Sequence, residues 1–131
     1  MYKKDFDRWN SIKKDIDTTK EPLYFREGDI WWSSIGVNVG FEIDGKKDTF
    51  SRPVIVLRKY NKFSFLALPL TTSATQNSWK LPIGNVAGKQ AFAVMSQIRN
   101  IDSHRLYQKI TSMKSEQFRQ VRAETLRKKI A

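Results

Sequence analysis

The chain has no cysteine and a single histidine among its 131 residues. Without thiols it can build neither a disulfide framework nor a thiolate metal site. Long hydrophobic runs are also missing. The longest, Pro53–Leu57 and Phe65–Leu70, are strand-sized, whereas a membrane-spanning helix needs ~18 apolar residues. The opening "MYKKDFDRWN" includes Asp5 and Asp7, and no apolar segment follows it, so it does not read as a secretory signal. A cytoplasmic protein with no membrane partner is expected.

Acidic residues are the most informative shortage. There are 13, against 24 Lys and Arg, for a net charge of +11. From Thr49 to Ile101, 53 residues, there is no Asp or Glu, while Arg52, Arg58, Lys59, Lys62, Lys80, Lys89 and Arg99 all fall inside that span. A surface tuned for solubility mixes both signs. A long stretch with no carboxylate suits a polyanion instead, and nucleic acid is the expected class of partner.

Residues 1–21 read as a helical arm. Phe6, Trp9, Ile12 or Lys13, and Ile16 recur at helical spacing between charges, and Pro22 ends the pattern. Residues 22–131 read as one β-rich domain. "GDIWWSSI" alternates as a strand does, and "GVNVGFEIDGKKDTF" is a polar, glycine-bearing loop. Pro53–Lys59 and Phe63–Thr71 form two strands joined by "YNK". "WKLPI" is a short strand, "GNVAGKQ" a turn, and "AFAVMSQIRNI" a further single strand. Met113–Lys129 carries Phe118, Val121, Thr125 and Leu126 on one side, giving a C-terminal helix that Thr111 or Ser112 could cap. About five strands, one closing helix and no crossover helix point to a small antiparallel barrel.

Arg52-Pro53 opens the first strand of the central pair. Proline lacks an N–H for the ladder and so belongs at a strand's first residue or edge, and it holds the residue before it extended. Arg52 is thereby fixed at a strand mouth. Thr71 and Thr72 close the next strand, and an antiparallel hairpin across Tyr60–Lys62 brings them beside Arg52. Trp31 and Trp32 point to opposite faces, and packing is the expected role of each. His104, beyond the last strand of the core in "DSHRL", is read as structural.

The ordered set "FREGDIWW", "GFE", "RPVIVL", "LPLTTS" and "QIRNIDSHRL" resembles the MazF/PemK family of toxin endoribonucleases over roughly Phe25 to Ile130. The resemblance implies a mainly β, SH3-like barrel with a C-terminal helix. It implies a homodimer that cleaves single-stranded RNA with no metal or cofactor, held in check by a cognate antitoxin. Given the charge of this chain, that antitoxin's binding segment should be acidic. By the same resemblance, Arg52 and Thr71 match catalytic positions, Glu42 matches a loop glutamate and candidate general base, and Gln97 a substrate-binding glutamine. Thr72, and in the loop Phe41 and Lys46, are placed as further RNA contacts, an aromatic to stack on a base and a cation to grip the backbone.

Two departures from the family pattern stand out. Ser96 occupies a position where members often carry an acid assigned as base, and Phe41 one that is sometimes His. A barrel of the same fold that binds RNA or DNA without cutting is therefore the alternative reading. A gyrase-inhibiting relative is a third, disfavoured because the chain ends "RKKIA" without the tryptophan such proteins use.

Overall fold

The computed structural model describes residues 21–35, 51–73 and 77–130. The expected arm helix and the loop bearing Phe41, Glu42 and Lys46 lie outside the described residues. Among those described there are seven strands and one helix: β1 (Asp29–Ser34), β2 (Ser51–Asn61), β3 (Ser64–Thr71), β4 (Lys80–Val86), β5 (Lys89–Val94), β6 (Arg99–Asp102), β7 (Leu106–Ser112) and α1 (Ser115–Ile130). All strand pairings are antiparallel, in the order β4-β5-β3-β2-β1-β7, with β6 also on β3. None of the described helices is long and apolar enough to cross a membrane.

The centre is the β2–β3 hairpin, and its apolar run is explained by burial on both faces. Successive strand residues point to opposite sides. Ile55 and Leu57 accordingly join Leu68, Leu70, Ile83 and Val121 of α1 in one core. Val54 and Val56 face the other way, onto Phe25, Trp31, Phe65 and Ile101. A strand covered on both sides cannot alternate apolar with polar residues.

β3 serves two neighbours along one edge. Ser64–Ala67 pair with β6, and Leu70–Thr71 pair with β5. The expected single strand "AFAVMSQIRNI" is therefore two. A 3₁₀ turn at Met95–Gln97 separates β5 from β6, so the chain pairs with β3 at two places along it. Two further expectations need correction. β7 was not anticipated, and α1 is not capped by Thr111 or Ser112. Thr111 lies in β7, and the Ser112 hydroxyl donates to Asp29 Oδ1 at 2.8 Å.

Asp29 is only 3% exposed and well supplied with donors. Its Oδ2 accepts from the Arg26 N–H at 2.9 Å and the Trp31 indole at 3.2 Å, and Lys109 Nζ stands 3.5 Å from Oδ1. One carboxylate thus pins the turn before β1 to both β1 and β7. Beside it, Gly28 has a φ of +91°, with the Phe118 ring of α1 3.5 Å from where a Cβ would sit. Its carbonyl accepts from Met113 N–H at 2.9 Å, so the turn also anchors the approach to the helix.

Candidate active site

Arg52 and Thr71 meet because the hairpin register makes them meet. Val54 pairs with Pro69, and two further steps put Arg52 opposite Thr71. The Arg52 side chain is half-buried, and its Nη1 donates to the Leu70 carbonyl at 3.3 Å, which aims the guanidinium across the hairpin mouth. Thr71 Oγ1 accepts the Ser73 N–H at 3.1 Å. That bond uses a lone pair, so the hydroxyl proton can be donated elsewhere. The sharp turn it makes is held from the other side by Lys80 Nζ, 3.4 Å from the Ser73 carbonyl and 3.3 Å from its hydroxyl.

These groups edge a cleft of about 210 Å³. Arg52, Thr71 and Thr72 line it, and Pro53, Leu70, Val86 and Ala91 make its walls apolar. Two residues that the sequence did not single out for it also line it: Trp32 from β1 and Lys89 from β5. Lys89 arrives there on a two-residue turn, Ala87-Gly88, with φ of +52° and +83°. That is the pattern of a hairpin whose twist suits its strands. The turn was readable; the pairing of β5 with the end of β3, which carries Lys89 to the cleft, was not. Two cations over apolar walls, in a stretch free of carboxylates, create a focused positive potential.

The other sequence-predicted residues fall elsewhere. Gln97 ends the 3₁₀ turn, half-buried, and does not line the cleft; Ser96 beside it is exposed. Phe41, Glu42 and Lys46 lie outside the described residues. Trp31 is buried in the core, while its neighbour Trp32 is the half-buried one that reaches the cleft. Ser33, fully buried and opposite Arg52 in the β1–β2 register, has a hydroxyl with no hydrogen-bond partner among the described residues.

His104 is at the far end of the hairpin. It stacks on Phe63, centroids 6.1 Å apart, and its Nδ1 lies 2.8 Å from Asp102 Oδ1. Asp102 pairs with Ser64, the first residue of β3, and Thr71 is the last. Seven strand steps at ~3.3 Å separate those ends by about 23 Å, too far for a shared reaction. Burial pushes the Asp102 carboxyl up. Hydrogen bonds from the His104 backbone and ring, with the charges of His104 and Arg105, outweigh that and hold it below its ordinary value. The pair serves the β6–β7 corner.

Residues 26–128 match the family described as "PemK-like, MazF-like toxin of type II toxin-antitoxin system". The chain belongs to that family. Among solved structures, the fold is similar to MazF from Deinococcus radiodurans, with a TM-score of 0.63 at 21% identity over 79% of this chain and 94% of that one. The MazE-MazF structure from the same organism gives 0.58 at 18% identity, over 79% and 93%. The Mycobacterium tuberculosis toxin MazF-mt6 gives 0.51 at 18% identity, over 63% and 88%. Among curated proteins, none matches the chain by sequence.

Proposed function

We propose that this toxin is a metal-independent, sequence-selective endoribonuclease that cleaves single-stranded RNA, acts as a homodimer and is neutralised by an acidic antitoxin. The observation that carries the reading is the meeting of Arg52 and Thr71 at the mouth of a cleft that Lys89 also lines. RNA brings its own nucleophile. The 2′-OH attacks the adjacent phosphorus, the bond to the 5′ oxygen breaks, and the products are a 5′-OH and a 2′,3′-cyclic phosphate, which water opens to a 3′-phosphate. The protein's task is to orient that attack and stabilise the charge that builds on the non-bridging oxygens.

Arg52 meets that charge with a planar, permanently charged donor. Thr71 donates a second hydrogen bond, and Lys89 adds a cation from the opposite wall. Trp32 gives a base a flat apolar surface. Glu42 is the proposed base, with Phe41, Lys46, Thr72 and Gln97 as further substrate contacts. A binding-only barrel is the second reading, favoured by the absence of any carboxylate or histidine from the described cleft lining.

One experiment separates the two. Purified protein is incubated with RNA in excess EDTA, and product ends are mapped on an unmodified and a fully 2′-O-methylated substrate. The expected result is cleavage of the first only, leaving a 5′-OH. Equal cutting of both overturns the 2′-OH mechanism, and RNA retention without cutting establishes the binding barrel.

A further inference from the structure

Ser33 of β1 is completely buried yet belongs to neither apolar core. Its Oγ has no hydrogen-bond partner among the described residues. Buried hydroxyls in folded proteins are nearly always bonded, and an exception calls for a reason. Packing does not supply one, because an alanine fills almost the same space and strands no polar atom.

The strand register fixes what lies beside that hydroxyl. Trp31 pairs with Val54, and Ser33 pairs with Arg52. Trp31 and Val54 share one buried core. Ser33 and Arg52 are each two steps closer to the cleft end, so they lie on the same face of the sheet. Directly opposed residues hold their Cβ atoms about 4.5–5.5 Å apart. The neighbour of Ser33 on its other side is Leu106, which offers no side-chain partner. Arg52 does, and its Nε is buried while its Nη1 reaches across to the Leu70 carbonyl. A serine hydroxyl at this spacing is within reach of an arginine Nε–H once the stem swings toward it.

We infer that Ser33 is a positioning residue for Arg52: its hydroxyl accepts the Nε–H when the guanidinium turns from the Leu70 carbonyl to a substrate phosphate. The inference rests on the proposed cleavage of RNA. A phosphate oxygen that takes Nη1 must displace the 3.3 Å bond to the Leu70 carbonyl, and that releases the guanidinium to rotate on its long stem. An acceptor at Nε fixes its plane and leaves Nη1 and Nη2 side by side for two non-bridging oxygens. A hydroxyl suits this task better than a carboxylate, since it orients the cation without cancelling its charge.

Ser33→Ala in the full chain is the test. Single-turnover cleavage at saturating RNA should fall about tenfold, the effect of one lost hydrogen bond to a charged group. The midpoint of denaturant unfolding should equal that of wild type or exceed it, because a stranded hydroxyl has been removed. The second readout is the Arg52 Nε–H, followed by NMR with a fully 2′-O-methylated RNA bound. Ser33→Ala should speed its exchange with solvent about tenfold and leave the backbone amides of β1 and β2 unchanged. A wild type that does not cut RNA would defeat the proposed function, and this inference with it. A wild type that cuts, beside a Ser33→Ala variant of equal rate or equal Nε–H exchange, would overturn the inference alone. Lower stability, or faster backbone exchange across β1 and β2, would make Ser33 a packing residue and overturn it as well.

Discussion

Arg52 is half-buried at the hairpin mouth and donates there to the Leu70 carbonyl, outside the two buried cores, so its removal should separate catalysis from folding. Arg52→Ala is expected to lower single-turnover RNA cleavage by two or more orders of magnitude, since a lost transition-state donor costs about 2.7–4 kcal/mol. Thermal stability should fall only slightly, because a hydrogen bond of this kind contributes about 1 kcal/mol. Wild-type cleavage by the folded variant would remove Arg52 from the mechanism. Ser96 is the converse case. It is exposed and outside the cleft lining, so Ser96→Asp should change the rate less than Thr71→Ala does. An inactive wild type that gains activity with Ser96→Asp would mean that the chain only binds RNA. Gly28 tests backbone geometry alone. The Phe118 ring leaves ordinary contact distance for a Cβ, so the cost of Gly28→Ala lies in its φ of +91°. About 1–2 kcal/mol of stability should be lost in denaturant titration, with cleavage by the folded fraction unchanged.

Among the elements, β1 depends most on a single side chain. Asp29→Ala leaves the Trp31 indole and the Ser112 hydroxyl without their acceptor, and should destabilise the fold by about 2–4 kcal/mol, measured by denaturant unfolding. The β6–β7 corner should instead respond to pH. The Asp102 carboxyl is held below its ordinary value of 3.8, so its contribution is present above that value and lost as pH falls through the lower folded one. The difference in melting temperature between wild type and Asp102→Asn should therefore shrink as the solution is acidified below 3.8, and a gap that widens there would reverse the assignment. These two elements also mark what the sequence could and could not disclose. The β2–β3 hairpin was legible because Val54 to Leu57 and Phe65 to Leu70 are apolar without interruption, and Arg52-Pro53 fixes where the first strand begins. β7 was not, because most of "LYQKITS" is exposed and its partner β1 lies far upstream, where no local period can report it. The break at Met95–Gln97 was hidden for a related reason: Met95 is buried like a strand residue, and only its long-range pairing shows that the chain has turned. In the cleft, Arg52 and Thr71 were visible from strand ends, while Lys89 and Trp32 reach it through pairings between distant strands.

For the whole molecule, the proposed binding of RNA by a chain of charge +11 should depend on salt. The logarithm of the binding constant should fall with the logarithm of salt concentration by about 0.7 for each phosphate contact. Lys89→Ala should flatten that slope by roughly one contact, and so should Arg52→Ala, whereas substitution of Lys128, which lies 5.5 Å from the Trp79 ring, should flatten it less. An equal effect of all three would spread the interface well beyond the cleft. The pairing of β1 with β7 has a temporal meaning as well. Asp29 and Ser112, bonded to each other, are 83 residues apart in the chain. Contacts of such separation are entropically slow to close and place a β-barrel among the millisecond-to-second folders. During synthesis, Trp32 and the strand that carries it must wait for β7 to leave the ribosome before that strand gains its second neighbour. A nascent toxin of this design therefore completes its barrel late, after most of its length has already been made.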